Sequence, residues 1–156
     1  MSLPPVSELV PHAGPMRLLE RVVSHDDAAT VCETRPEASA LFAGADGSVP
    51  GFVAIEYMAQ CIAVHAGLAA RVRGEPLRPG LFLGSRRVTL RADRLAPGRT
   101  LRVTARPLRS GSSGAAAFAC TVEDPAGGAP LVEGTLTALV LREGRLPAPR
   151  RGAGAP

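Results

Sequence analysis

From Phe52 to Ala70 the chain is almost wholly apolar, and this run constrains the fold more than any other feature. Its only polar side chains, apart from the Tyr57 hydroxyl and the Cys61 thiol, are Glu56, Gln60 and His65. Pro50-Gly51 opens the run, and Gly74 stops it with Pro76 and Pro79 behind. The pattern predicts one helix over about 52–73. A helix this apolar must be covered on most sides. A carboxylate inside it demands a partner, because chains rarely bury an unpaired charge.

Glu56 and Gln60 are i and i+4 and share a face. His65 lies nine residues beyond Glu56, about 180° around the helix and roughly 13 Å along it. Glu56 and His65 therefore cannot meet in one site of a straight helix. The plainer reading of Glu56 is a carboxylate satisfied by backbone donors, or a partly wet one favoured by the helix dipole. That of Gln60 is a structural hydrogen bond, for instance to Glu56. That of His65 is a satisfied core or interface histidine.

The 156 residues suit one domain, over 1–143, with a Pro-, Arg-, Gly- and Ala-rich tail over 144–156 expected to be disordered. With no Trp and one Tyr, the core must be built from Ala, Val and Leu. The net charge of +4 is carried by Arg alone. Those Arg residues are scattered and no aromatics interleave with them, which argues against nucleic acid. Cys32, Cys61 and Cys120 are odd in number and show no metal spacing, so no metal is expected and a reduced, cytoplasmic chain is the simplest reading. No signal-peptide pattern opens the chain. Residues 52–70 approach bilayer length, but Glu56 and Gln60 and the strand-rich sequence that follows argue against a membrane span.

Around this helix the remaining sequence reads as strands. Residues 5–10 suggest a short helical turn. Residues 17–26 and 28–36 read as two strands about an Asp-rich turn, and 37–42 as one helical turn. Residues 43–51 are a loop. After the helix come four strands, 82–94, 99–108, 115–124 and 130–143, separated by Gly- and Pro-bearing turns. The expectation is an α+β domain in which one curled antiparallel sheet surrounds the helix.

With the segments LVPHAGPMRLLERV (9–22), PGFVAIEYMAQ (50–60), LFLGSRRVTL (81–90) and LAPGRTLRV (95–103) in place, the sequence resembles the hotdog-fold 3-hydroxyacyl-acyl-carrier-protein dehydratases. Within them it is most similar to the branch of aryl-polyene and polyketide-like pathways. The first segment is similar to that family's opening Leu-Pro-His-Arg-x-Pro-Met-x-Leu-Leu-Asp-Arg-Val. The second is similar to its helix start, with the acid five residues after the Gly. The resemblance covers about residues 8–141. It implies a hotdog fold, a homodimer or a heterodimer with a related subunit, and reversible loss of water from a 3-hydroxyacyl thioester. The substrate would ride on the phosphopantetheine arm of acyl carrier protein, with no other cofactor. It also implies that Glu56 handles the hydroxyl, that the Gly51 N–H holds the thioester carbonyl and that Gln60 orients Glu56. Pro50, Phe52, Tyr57 and Phe82 are the candidate substrate contacts. An acidic carrier protein is expected against Arg71, Arg73 and Arg78 at the far end of the helix, together with one of Arg86 and Arg87, which a regular strand would point to opposite faces. The plainer reading is that these Arg residues only solvate the surface.

One departure is costly. Typical members carry Gly-His-Phe-Pro before the Pro-Gly turn, and that His is catalytic. Here LFAGADGSVPG (41–51) puts Ala45 or Asp46 in its place. Only His12, His25 and His65 remain. Two sources of a base stay open. His12 or His65 could reach Glu56 of the other subunit, or a partner chain bearing the usual His could pair with this one. A shortened loop favours the partner. Three functions compete: the dehydratase, a non-catalytic hotdog subunit paired with an active paralogue, and a hotdog thioesterase that activates water.

Overall fold

The computed structural model describes residues 2–110 and 113–141. The expected tail from residue 144 lies outside these. Strand β1 (Arg21–His25) pairs with β2 (Thr30–Thr34) across the Asp-rich turn. That turn is made by Asp26, whose Oδ1 accepts the Ala28 and Ala29 N–H groups, and these hydrogen bonds hold its carboxyl below the usual range. A 3-10 turn over Pro36–Phe42 follows, then the two-residue strand β3 (Val49–Pro50).

The long helix begins as a 3-10 turn at Gly51–Val53 and continues as α1 (Ala54–Val72). Its end is closed by backbone geometry. Gly74 adopts a φ of +66°, its N–H donates to the Arg71 carbonyl, and the Glu75 N–H donates to the Ala70 carbonyl. The stretch Gly51–Val72 is long and apolar enough to cross a membrane, yet 56% of its most apolar window is buried inside this domain. It is the central helix of the core.

The strands β4 (Gly80–Leu90), β6 (Leu101–Ser110), β7 (Ala115–Glu123) and β8 (Val132–Val140) follow, with β5 (Arg94–Leu95) between β4 and β6. Six strands form one antiparallel sheet in the order β1-β2-β6-β7-β8-β4. The expected strand over 82–94 is thus two, because β5 leaves the sheet to pair with β3. Inward residues Val103, Val122, Val132 and Leu136 pack against Tyr57, Met58, Cys61 and Val64 of α1. The core is built mostly of aliphatic side chains.

Strand β4 is not regular. Its register against β8 shifts between Phe82 and Gly84 and again between Ser85 and Arg87. Arg86 and Arg87 are both exposed, and the register shift between Ser85 and Arg87 removes the regular alternation on which their expected division between two faces depended. β4 is also an edge strand, open on one side.

Candidate active site

The N-terminal segment runs across α1 and, besides the Arg71–Glu8 ion pair and the Thr34 hydroxyl that donates to the Leu18 carbonyl, is held at two points on either side of His12. At the first, Gly67 presses against the Leu9 backbone, where an added Cβ would lie 2.6 Å from the Leu9 carbonyl oxygen. At the second, fully buried Gln60 makes three hydrogen bonds. Its Oε1 accepts the Leu18 N–H at 2.9 Å, and its Nε2 donates to the Met16 carbonyl at 2.8 Å and to Glu56 Oε1 at 2.9 Å. His12 lies between these anchors. Its Nε2 stands 3.3 Å from Glu56 Oε1.

The structure therefore brings together Glu56, Gln60 and His12 of one chain. His12 meets Glu56 of its own subunit, which corrects the expectation that it would have to reach across to another. Glu56 is not the buried carboxylate that the apolar run suggested. Its side chain is 38% exposed and that of His12 30%, so both are within reach of a ligand. Glu56 also sits in the first turn of α1.

The pair opens on a cavity of about 130 Å³. Ala59, Ala63 and Ala66 form its floor, one face of α1, and Phe82, Leu139 and Val140 close its side. Small residues at helical spacing leave room that larger ones would fill. The sequence signal for this floor is the alanine spacing 59, 63 and 66, which polar residues alone do not reveal. Among the described residues no cluster of three His, Cys, Asp or Glu side chains could hold a metal ion.

Several expected contacts lie elsewhere. The Gly51 N–H already donates to the Asp93 carbonyl at 2.8 Å, so it is not free to hold a substrate carbonyl. Gly51 is required for another reason: a Cβ there would stand 2.0 Å from the Ala92 carbonyl oxygen. Tyr57 is fully buried and its hydroxyl bonds Ser39 at 2.7 Å, with its pKa raised chiefly by burial. It ties the 36–42 turn to the helix and does not line the cavity. Pro50 belongs to the β3–β5 pair, and Phe52 projects into solvent. Of the four candidate substrate contacts only Phe82 lines the cavity.

His65 lies away from Glu56. Its Nδ1 meets the Thr30 hydroxyl at 2.8 Å, and the same hydroxyl meets His25 Nδ1 at 2.8 Å. Burial first, and then the nearby His25, lower the His65 pKa. In the loop that should bear a catalytic His, Asp46 is tied to the Ser48 N–H and hydroxyl, at 3.0 and 2.7 Å. These bonds depress its pKa, so it is a turn-forming acid and a poor base. Of the expected docking arginines, Arg71 pairs with Glu8 and Arg73 with Glu75, while Arg78 lines the cavity.

One long helix enclosed by an antiparallel sheet, with the acid of its first turn facing an apolar cavity, is the hotdog architecture. The chain belongs to the ApeP-like dehydratase family, whose model, described as ApeP dehydratase, matches residues 4–144. A chain of the dehydratase heterocomplex ApeI:P from Xenorhabdus doucetiae is 29% identical, with a TM-score of 0.84 over 91% of this chain and 94% of that one. Zebra fish thioesterase superfamily member 2 is 19% identical (TM-score 0.55, covering 78% and 80% of the two chains). A hypothetical thioesterase from Streptococcus pneumoniae TIGR4, solved with coenzyme A, is 14% identical (TM-score 0.59, covering 77% and 86%). These last two share the fold alone, so the thioesterase reading has no more than fold likeness behind it. No curated protein matches the chain.

Proposed function

We propose that this dehydratase removes water from 3-hydroxyacyl thioesters carried on the phosphopantetheine arm of acyl carrier protein, in polyene-type biosynthesis in the cytoplasm. The observation that carries the reading is the contact of His12 Nε2 with Glu56 Oε1 at 3.3 Å, at the end of an apolar cavity. Loss of water needs a base for the C2 proton and an acid for the C3 hydroxyl. His12 takes the C2 proton as the C2–C3 double bond forms. Glu56, in its acid form, gives a proton to the departing hydroxyl, which leaves as water. The proton on His12 then returns to Glu56 across their contact, and the pair is restored. Gln60 keeps the carboxyl oriented through its amide.

A second reading has its own support. The loop that bears the catalytic His in typical members is here a closed turn around Asp46, Ser48 and Arg94. The similar Xenorhabdus doucetiae protein is a heterocomplex. In this reading the chain pairs with a related hotdog subunit that brings the His, and Glu56 completes the site across the interface.

The test is enoyl formation from a 3-hydroxyacyl carrier-protein thioester, by the pure chain and after addition of the related subunit from its own gene cluster. Glu56→Gln should lower turnover about a hundredfold or more in either case. His12→Ala should do so only if His12 is the base. Unchanged turnover by a folded Glu56→Gln variant sinks both readings. Full activity of the pure chain sinks the second.

A further inference from the structure

Arg78 differs from its neighbours at the far end of α1. Arg71 and Arg73 are neutralised by Glu8 and Glu75, at 3.0 and 3.1 Å. Arg78 has no ion pair among the described residues, yet it is half-buried, and a guanidinium that has given up part of its hydration calls for an anion. It stands where three hollows join. It lines the cavity of Glu56 and His12, a second cavity of about 290 Å³ towards Phe118, and an open vestibule of about 540 Å³ with Arg73 and Glu75. Ala66 and Val140 are shared by the first two hollows.

The two ends of the trough differ in chemistry. The Arg78 end is cationic and opens to solvent. Near the Glu56 end, exposed Phe52 starts the helix, and exposed Met16, Leu41 and Phe42 lie on two 3-10 turns that pack together, an apolar surface suited to an acyl group or to a covering subunit. Along α1, Glu56 and Ala66 are ten positions apart, which is about 15 Å. An extended pantetheine arm spans about thirteen bonds from sulfur to phosphorus, or roughly 16 Å at ordinary chain geometry. An arm with its thioester at Glu56 and His12 therefore reaches as far as Ala66, which lines the same two hollows as Arg78.

We propose that Arg78 binds the phosphate of the 4′-phosphopantetheine arm and so fixes the depth to which the thioester enters. The inference rests on the thioester reading above. A guanidinium suits this role because it donates two parallel hydrogen bonds to phosphate oxygens. The arm enters from the vestibule and crosses the alanine floor, with its amides towards the open side. The acyl group lies beyond Glu56.

The test compares arms with and without phosphate. Calorimetry with the purified chain uses a saturated acyl group joined through a non-reactive thioether to phosphopantetheine or to dephosphorylated pantetheine. The wild type should bind the phosphorylated probe about tenfold more tightly, Arg78→Ala should abolish that preference, and Arg78→Lys should keep most of it. In turnover, Arg78→Ala should raise KM about tenfold for carrier-protein or coenzyme A thioesters, and much less for the N-acetylcysteamine thioester, which carries no phosphate. Comparing the first two shows which phosphate source the site prefers. A wild type indifferent to the phosphate, or an equal loss for both probes in Arg78→Ala, overturns the inference. If the tenfold preference holds but no thioester is dehydrated, alone or with the related subunit, the proposed reaction fails and the phosphate site stands.

Discussion

Gln60→Met tests how the site is held. Methionine keeps the length and nearly the volume of glutamine and removes every polar atom. The Leu18 N–H is buried and loses its acceptor, the only one among the described residues, which costs about 1–3 kcal/mol. The Met16 carbonyl is part-buried and loses a donor, about 1 kcal/mol more. Burying a thioether where an amide had been offsets roughly 1 kcal/mol. The expected net loss is about 1–3 kcal/mol, a fall in Tm of roughly 2–12 °C for a chain of this size. The amide that holds Glu56 also disappears, and the segment delivering His12 loses one of its anchors on α1. Misplacement of about 1 Å at reacting groups costs on the order of a hundredfold in rate, so kcat/KM should fall by about that factor. Urea unfolding and thermal melts at one fixed protein concentration give the first quantity, since association would shift Tm. Enoyl formation gives the second. A variant that melts within about 2 °C of wild type and turns over normally would show that Gln60 neither pins the segment nor positions the acid.

Gly67→Ala should cost about 1–3 kcal/mol, because its Cβ would press on the Leu9 carbonyl and push the N-terminal segment from the helix; a melt and an activity assay should fall together. His65 has a folded pKa below its unfolded value near 6.5, so the unfolded state takes up protons more readily. Its contribution is complete above about pH 6.5 and is lost as pH falls towards the folded value. His65→Gln should therefore flatten the acid side of the Tm–pH curve, and an unchanged slope would refute the assignment. Burial pushes the Cys120 thiol up to about 12. The Cys32 contact, with burial, raises Cys61 well above its usual value. All three buried thiols should resist alkylation in the native protein and react in denaturant, as read by mass spectrometry; rapid native labelling would contradict the burial.

The architecture was legible because its signals are local. The apolar run between Pro50-Gly51 and Gly74 marked the helix nearly to the residue, and alternating Leu101, Val103 and Ala105 marked a strand. The site was legible only in part. Glu56 and Gln60 announced themselves by standing alone in an apolar helix. What occupies each donor was not, since the partners of Gly51 and Gln60 are distant in sequence. The Gly51 N–H is taken by Asp93 through the β3–β5 pair, which no periodicity reveals. Tyr57, a candidate substrate contact, instead points its hydroxyl at Ser39, 18 positions away in sequence. His12 sits in a Pro- and Gly-bounded segment with no pattern, and only the closing of that segment over the helix brings it to Glu56.

That closing has a consequence for the order in which the site comes into being. Glu56 and Gln60 are set by a helix whose hydrogen bonds are short in sequence, whereas the bonds that bring in the N-terminal segment span 42 to 44 positions. Closing such a loop costs more entropy than extending a helix, so the carboxylate is expected in place before its imidazole. An opening of the segment with the sheet intact would remove catalytic competence in a local fluctuation that leaves the fold standing. Hydrogen exchange would read this directly. The Leu18 amide, held by a side chain, should exchange faster than the mid-strand amides of β7, and equal protection would mean that strap and sheet open as one unit.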